Sequence, residues 1–195
     1  MAIRKVALMG HPVLREKARP VSEKELLSPK IQELLGDMLE TMLEYDGRGL
    51  AAPQIHESLR IVVMVWDFDP ENKPHVVYLI NPVTLPLTEE MSGTWEGCLS
   101  VPGLRGMVMR PNKISLMAFN EKKEKVELIV EGFAATVIQH ECDHLEGTLY
   151  VDRIIDKTQF AFSQEYVRYH APKEEPVMND HQLKLKVSDS GLKPA

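Results

Sequence analysis

The residues of this chain best suited to chemistry lie in one run, residues 138–147, which reads IQHECDHLEG and sets His140, Glu141 and His144 in an HExxH spacing. On a helix of about 3.6 residues per turn, positions four apart lie one above the other, so both imidazoles can address one metal ion. Glu141 falls about 100° round from His140, at the edge of that face. A carboxylate there can take a proton from a water on the ion without being a ligand itself. With seven histidines in 195 residues, a chance match is a weak competitor, and the surrounding pattern decides. Phe133, Ala134, Val137, Ile138 and Leu145 recur at helical spacing, and Gly147 offers a C-terminal stop. The motif therefore belongs to a mostly buried amphipathic helix.

Two histidines do not hold a catalytic metal; three protein ligands and a water are the usual set. The metzincin pattern HExxHxxGxxH is followed as far as Gly147, but Tyr150 stands where its third His belongs, and the only later methionine, Met178, falls in a polar tail. A thermolysin-like site would draw on Glu165, which has no supporting motif around it. The remaining candidate is Cys98 in WEGCLSVPG, residues 95–103. Gly97 lets backbone and metal approach each other, and Leu99-Ser100-Val101 reads as a strand. Cys142 lies about 200° round the helix from His140 and reads as a small core residue.

The elements that must position these groups follow from periodicity. Residues 1–27 read as an extended arm broken by His11-Pro12 and Arg19-Pro20. Ser28-Pro29 then opens a helix with Ile31, Leu34, Leu35, Met38, Leu39, Met42 and Leu43 on one face, stopping near Asp46-Gly47. GRGLAAPQ, residues 47–54, permits close backbone approach; it lacks the Lys-Ser/Thr ending of a phosphate loop. Strands are expected at 60–66, 76–81, 83–88, 113–119 and 125–130, the last two forming a hairpin. After the motif helix come a short apolar segment, 149–155, and a second helix over 157–170 carrying Phe160, Ala161, Tyr166 and Val167. The order suggests an α+β fold, with antiparallel sheets packed around the motif helix and a helix near each end. Residues 1–170 read as one catalytic domain, and 171–195 as a polar, disordered tail.

Composition bounds the class. Hydrophobic residues make up 44% and charged residues 27%, ordinary for a globular protein. A net charge of −6 argues against nucleic acid or an anionic membrane as partner of the whole domain. No apolar run approaches the roughly 18 residues of a membrane span, and the N-terminus has no secretory pattern. Two cysteines fit a reducing compartment, so a cytoplasmic location is expected.

Three motifs in this order, GRGLAAPQ, EGCLS and QHECDHLEG, resemble peptide deformylase, and residues 11–15 look similar as well. Together the three span about half of the chain. The resemblance implies the deformylase fold and removal of the N-terminal formyl group from formyl-methionine of newly synthesised polypeptides, releasing formate. It also implies one divalent ion per chain on Cys98, His140 and His144, iron(II) in the cell, with zinc, nickel or cobalt able to replace it in purified protein. By resemblance Glu141 is general base and then acid, while the Gln54 side-chain amide and the Leu99 backbone N–H stabilise the oxyanion. Phe133, Thr136 and Val137 share the face of His140 and should line an apolar pocket suited to methionine. The backbone of Gly47, Arg48 and Gly49, with Gly97, should meet an extended peptide as an added strand.

Arg48 stands where family members commonly have an aliphatic residue, and Thr94 and Trp95 are expected to remodel the same rim. Glu96, Arg105 and Arg110 are expected to orient ligands or substrate, with surface salt bridging an equal reading for the two arginines. The C-terminal helix resembles the segment by which bacterial relatives dock near the ribosomal exit tunnel, although Arg168 is one of its few basic residues. Two other readings stay open: an HExxH peptidase cutting internal bonds, which has no need of Cys98, and a non-catalytic binding protein on this fold. Retention of both Glu141 and Gln54 argues against the latter.

Overall fold

The computed structural model describes residues 2–66 and 74–172. Its helices are α1 (Glu23–Leu26), α2 (Pro29–Glu44), α3 (Phe133–Leu145) and α4 (Ser163–Tyr169). The strands are β1 (Gly49–Ala51), β2 (Ile61–Trp66), β3 (His75–Pro86), β4 (Met91–Cys98), β5 (Val101–Pro111), β6 (Lys113–Phe119), β7 (Lys125–Glu131) and β8 (Phe160–Phe162). They form two antiparallel sheets, one in the order β1-β2-β3-β6-β7 and one in the order β4-β5-β8. The expected α+β arrangement is present. Nearly all of the expected tail, from residue 173 onward, lies outside the described residues.

The larger sheet is sandwiched between α2 and α3, which explains why β2 is apolar at every position rather than at alternate ones. Val62 and Met64 pack with Ala134, Ala135, Ile138 and Leu145 of α3. Ile61, Val63 and Val65 face the other way, against Leu34, Leu35, Met38 and Met42 of α2. A strand covered on both faces has no polar side to display. Farther along the sheet, β6 alternates as a half-covered strand should: Ile114, Leu116 and Ala118 are buried while Met117 is exposed. Cys142 is buried in the same core as expected, and its thiol is pushed up to about 12 chiefly by that burial.

Four expectations need correction. The N-terminal arm is not wholly extended, since Pro12–Arg15 forms a 3-10 turn and α1 a short helix with a Ser22 capping box. The strands expected at 76–81 and 83–88 are one strand, β3, whose register shifts between Ile80 and Val83, with Asn81 at φ 53°. That bulge accommodates Pro82, which cannot donate to a ladder. The hairpin β4–β5 went unread, and Leu99-Ser100 is its turn rather than strand, because its outer residues lack clean alternation. Finally, the C-terminal helix begins only at Ser163. Phe160 and Ala161 extend instead as β8 beside Gly106 and Arg105.

The end of α3 is clamped by the N-terminal arm: Ala18 N–H donates to the Leu145 carbonyl at 2.9 Å. Gly147 makes this possible. Its φ is +72°, and a Cβ there would lie 2.6 Å from the Arg15 carbonyl oxygen. Gly147→Ala is expected to destabilise the fold by about 1–3 kcal/mol, read as a lower urea midpoint at unchanged slope. An unmoved midpoint would show that the contact gives way freely.

Candidate metal centre

Helix α3 brings His140, Glu141 and His144 to the mouth of the smaller sheet, where β4 ends at Cys98. The Cys98 Sγ lies 3.3 Å from His144 Nε2, and the ligand atoms of Cys98, His140 and His144 all lie within 4.8 Å of one another. Tetrahedral coordination with metal–sulfur and metal–nitrogen bonds of about 2.3 and 2.1 Å separates S from N by about 3.6 Å. The three residues therefore fit one first-row divalent ion with no rearrangement of the backbone. His140 Nδ1 lies 2.7 Å from Glu96 Oε2 and donates to it, which turns Nε2 toward the site as the nitrogen left to bind a metal.

Glu96 is held by more than the histidine. Arg110 donates from Nε at 2.6 Å and from Nη2 at 2.9 Å to its two carboxylate oxygens, and from Nη1 at 2.9 Å to Asp143. Arg153 closes Asp143 from the outside with a second two-point pair. Arg110 is only 2% exposed, so the surface reading is wrong for it: this cation is buried against Glu96 and Asp143. Burial raises the Glu96 carboxyl, but hydrogen bonds from Arg110 and His140 outweigh it and bring the pKa down to about 2. Burial likewise opposes ionisation of Cys98, yet the charge of His144 and hydrogen bonds from both histidines hold the thiol well below its ordinary value. His140 is held well above its own, burial being outweighed by Cys98 and Glu96.

Glu141 is buried, and that burial raises its pKa. Its Oε2 has no hydrogen-bond partner among the described residues. The carboxylate sits against Gly49, where a Cβ would come within 2.4 Å of Oε1, so only glycine leaves room for it. Gln54 is fixed at 2% exposure: its Oε1 accepts from Ala51 N–H at 2.8 Å, and its amide donates to Ser100 Oγ at 3.2 Å. The same amide nitrogen is 3.4 Å from Cys98 Sγ. Tyr150, where a metzincin would have its third His, stacks on His140 at 6.1 Å between ring centroids. Glu165 stands on α4 and pairs with Arg168, outside the cluster.

A cleft of about 1050 Å³ opens on these groups. Gly47, Arg48, Gly49, Gly97 and Leu99 line it, as do Phe133, Thr136 and Val137 from α3. All the expected lining residues are thus brought together. Phe133 stands at the rim, 50% exposed, and Thr136 is buried. Thr94 and Trp95 are also in the wall, as the rim reading anticipated. Arg105 is exposed in the same wall and makes no ion pair among the described residues. Asp143, Arg153 and Ser100 were missed. A signal for Asp143 existed: a carboxylate inside a buried helical motif requires a cation.

A half-buried thiol and two buried histidines converging beside a buried glutamate, on an α+β scaffold, define a metal-dependent hydrolase. Comparison with known proteins narrows that class. The family model "Polypeptide deformylase" matches residues 3–160. The peptide deformylase of Leptospira biflexa serovar Patoc is 44% identical over 170 residues, covering 85% of this chain and 95% of that protein. Peptide deformylase 1 of Nitrosomonas europaea is 43% identical over 166 residues, covering 83% and 93%. Among solved structures, the class I type b peptide deformylase of Acinetobacter baumannii bound to Met-Ala-Ser aligns with a TM-score of 0.73 at 38% identity, over 78% of this chain and 99% of that one. The Thermotoga maritima peptide deformylase aligns at 0.70 and 39% identity, over 80% and 100%. This chain belongs to the peptide deformylase family. The internal-bond peptidase and the non-catalytic readings lose their support.

The buried carboxylate makes stability pH-dependent. Because the folded pKa of Glu96 is depressed below its ordinary value of 4.5, its contribution is fully present above that value and lost as pH falls toward about 2. Urea midpoints should fall across this window, and Glu96→Gln, less stable at neutral pH, should fall less. Equal slopes in the two proteins would contradict the pairing.

Proposed function

We propose that Cys98, His140 and His144 hold one divalent ion, iron(II) in the cell with zinc, nickel or cobalt able to take its place, and that the centre removes the formyl group from formyl-methionyl nascent peptides. The observation that carries this is the meeting of Gln54, Glu141 and the Cys-His-His cluster in one cleft. Bound there, a divalent ion supplies Lewis acidity, which polarises the formyl carbonyl and acidifies water. The rest is the work of the chain. Glu141, raised by burial, is suited to accept a proton from the attacking water and pass it to the departing amine. The Gln54 amide, held by Ala51 and Ser100, is placed to donate to the developing oxyanion, with the Leu99 N–H at the hairpin turn as second donor. Glu96 and Arg110 keep His140 in the tautomer that presents Nε2.

Phe133, Thr136 and Val137 form the methionine pocket, and the backbone of Gly47, Arg48 and Gly49, with Gly97, receives the peptide that follows. That the Acinetobacter relative is solved bound to Met-Ala-Ser supports a peptide that begins with methionine. No described helix is long and apolar enough to cross a membrane. With the two free cysteines, that supports a cytoplasmic enzyme acting as chains emerge, residues 1–170 forming its single catalytic unit. Docking of α4 at the ribosomal exit tunnel belongs to the same proposal, though acidic Glu165 beside Arg168 gives it little charge to bind RNA.

Anaerobically prepared protein should deformylate formyl-Met-Ala-Ser. Glu141→Ala should retain the ion and lose at least about a hundredfold in kcat, and Gln54→Ala about 10²–10³-fold with KM little changed. A metal-loaded parent without activity would sink the assignment; an active Glu141→Ala would remove only its role as base.

A further inference from the structure

The two sheets have four edges among the described residues, and three of them are blunted. β1 and β8 are only three residues long. β4 carries Gly93 and Gly97 and a register shift between Glu96 and Cys98. β7 has none of these features. It runs seven residues, KVELIVE, without Gly or Pro, and pairs with β6 in unbroken register from Lys125 opposite Phe119 to Glu131 opposite Lys113. On its far side it pairs with no strand of the described chain. Val126 and Val130 turn toward α3 and join the core there. Leu128 lies between them on the same face yet is 42% exposed, and Ile129, on the opposite face, is 69% exposed. A straight, apolar, β-prone edge with open backbone donors and acceptors is a template for another strand.

The sequence of β7 says which strand fits. Two copies meeting edge to edge in antiparallel fashion are related by a two-fold axis normal to the sheet, which keeps α3 of both on one face. Facing residues then share a face, so the axis must pass through a residue. Centred on Leu128, it sets Lys125 of each copy opposite Glu131 of the other, Val126 opposite Val130, and Leu128 opposite its own counterpart. Centred on Ile129 it would set Glu127 against Glu131, and centred on Glu127 it would set that carboxylate against itself. The charges therefore select one register. Glu131 already holds Lys113 of β6 at 3.2 Å, so Lys125 of the other copy completes a Lys–Glu–Lys row across the seam. We propose that β7 is the contact between two copies of this chain, paired antiparallel about Leu128 so that their larger sheets become one. The seam covers Leu128 and closes the open edge. No residue of β7 lines the cleft, so both reaction centres stay open.

Sedimentation velocity over a range of protein concentrations tests this. The parent should pass from monomer to dimer as concentration rises, and weakly, as suits a contact made by one strand. Leu128→Lys should stay monomeric at every concentration, while its unchanged hydrolysis of formyl-Met-Ala-Ser shows that it folds. Lys125→Glu and Glu131→Lys, each alone, set like charges opposite at both ends of the seam and should raise the dimer dissociation constant about tenfold. Mixed in equal amounts, those two proteins have opposite charges facing at both ends again. They should form a heterodimer of near-parental affinity, a rescue that contact through another surface would not give. A parent that is monomeric throughout, a dimer indifferent to Leu128→Lys, or charge variants that do not rescue each other overturns the proposal. The deformylase reading stands under each of these results.

Discussion

The carboxylate of Glu96, shared between Arg110 and His140 inside the protein, is the contact on which the rest of the site depends. It joins the β4–β5 hairpin to α3, the two elements that carry Cys98, His140 and His144. Neither element fixes that relation by its own hydrogen bonding. A hairpin could slide against a helix by an ångström at little cost, and a ligand set displaced that far would no longer close on one ion. Two-point bonds from a planar guanidinium resist such sliding because direction as well as distance is set. Arg110 reaches Asp143 as well, so the same cation holds α3 at a second point one helical turn along.

That network costs desolvation of several charges, and it persists because each charge has its partner. Arg110 faces two carboxylates, Asp143 faces Arg110 and Arg153, and Glu96 faces Arg110 and His140. Around it two glycines leave room for side chains of the cleft. Gly49 yields space to Glu141, and Gly97 to Arg105. The small residues of GRGLAAPQ and EGCLS are thus matched to side chains arriving from other elements, which is a tertiary requirement rather than a local one.

Much of this could be read from the chain, and the reasons for the rest are physical. The HExxH helix and α2 are strongly periodic, so their faces and ends were legible, down to Ser28 as cap and Gly147 as stop. Cys98 emerged because two histidines need a third ligand and nothing else in pattern supplied one. The β4–β5 hairpin escaped because its turn, Leu99-Ser100, lacks the Gly or Asn that usually marks one, and because Gly93 and Gly97 interrupt its alternation. Asp143 and Arg153 escaped for a different reason. Their pairing joins helix to the following 3-10 turn and depends on how closely those pack, which no spacing rule expresses. Arg105 reads from the sequence equally as a substrate-orienting residue or a surface ion pair, and its place over Gly97 and against Tyr166 is a tertiary feature that no spacing expresses.

On the proposed reading, one ion held by Cys98, His140 and His144 is what makes this fold a deformylase. The most direct measurement is titration of metal-free protein with iron(II) under anaerobic conditions, following formate released from formyl-Met-Ala-Ser against metal bound. The expected result is a linear rise that stops at one ion per chain, with no rise in Cys98→Ala. Formate release without metal, or full occupancy of the site without release, would contradict it.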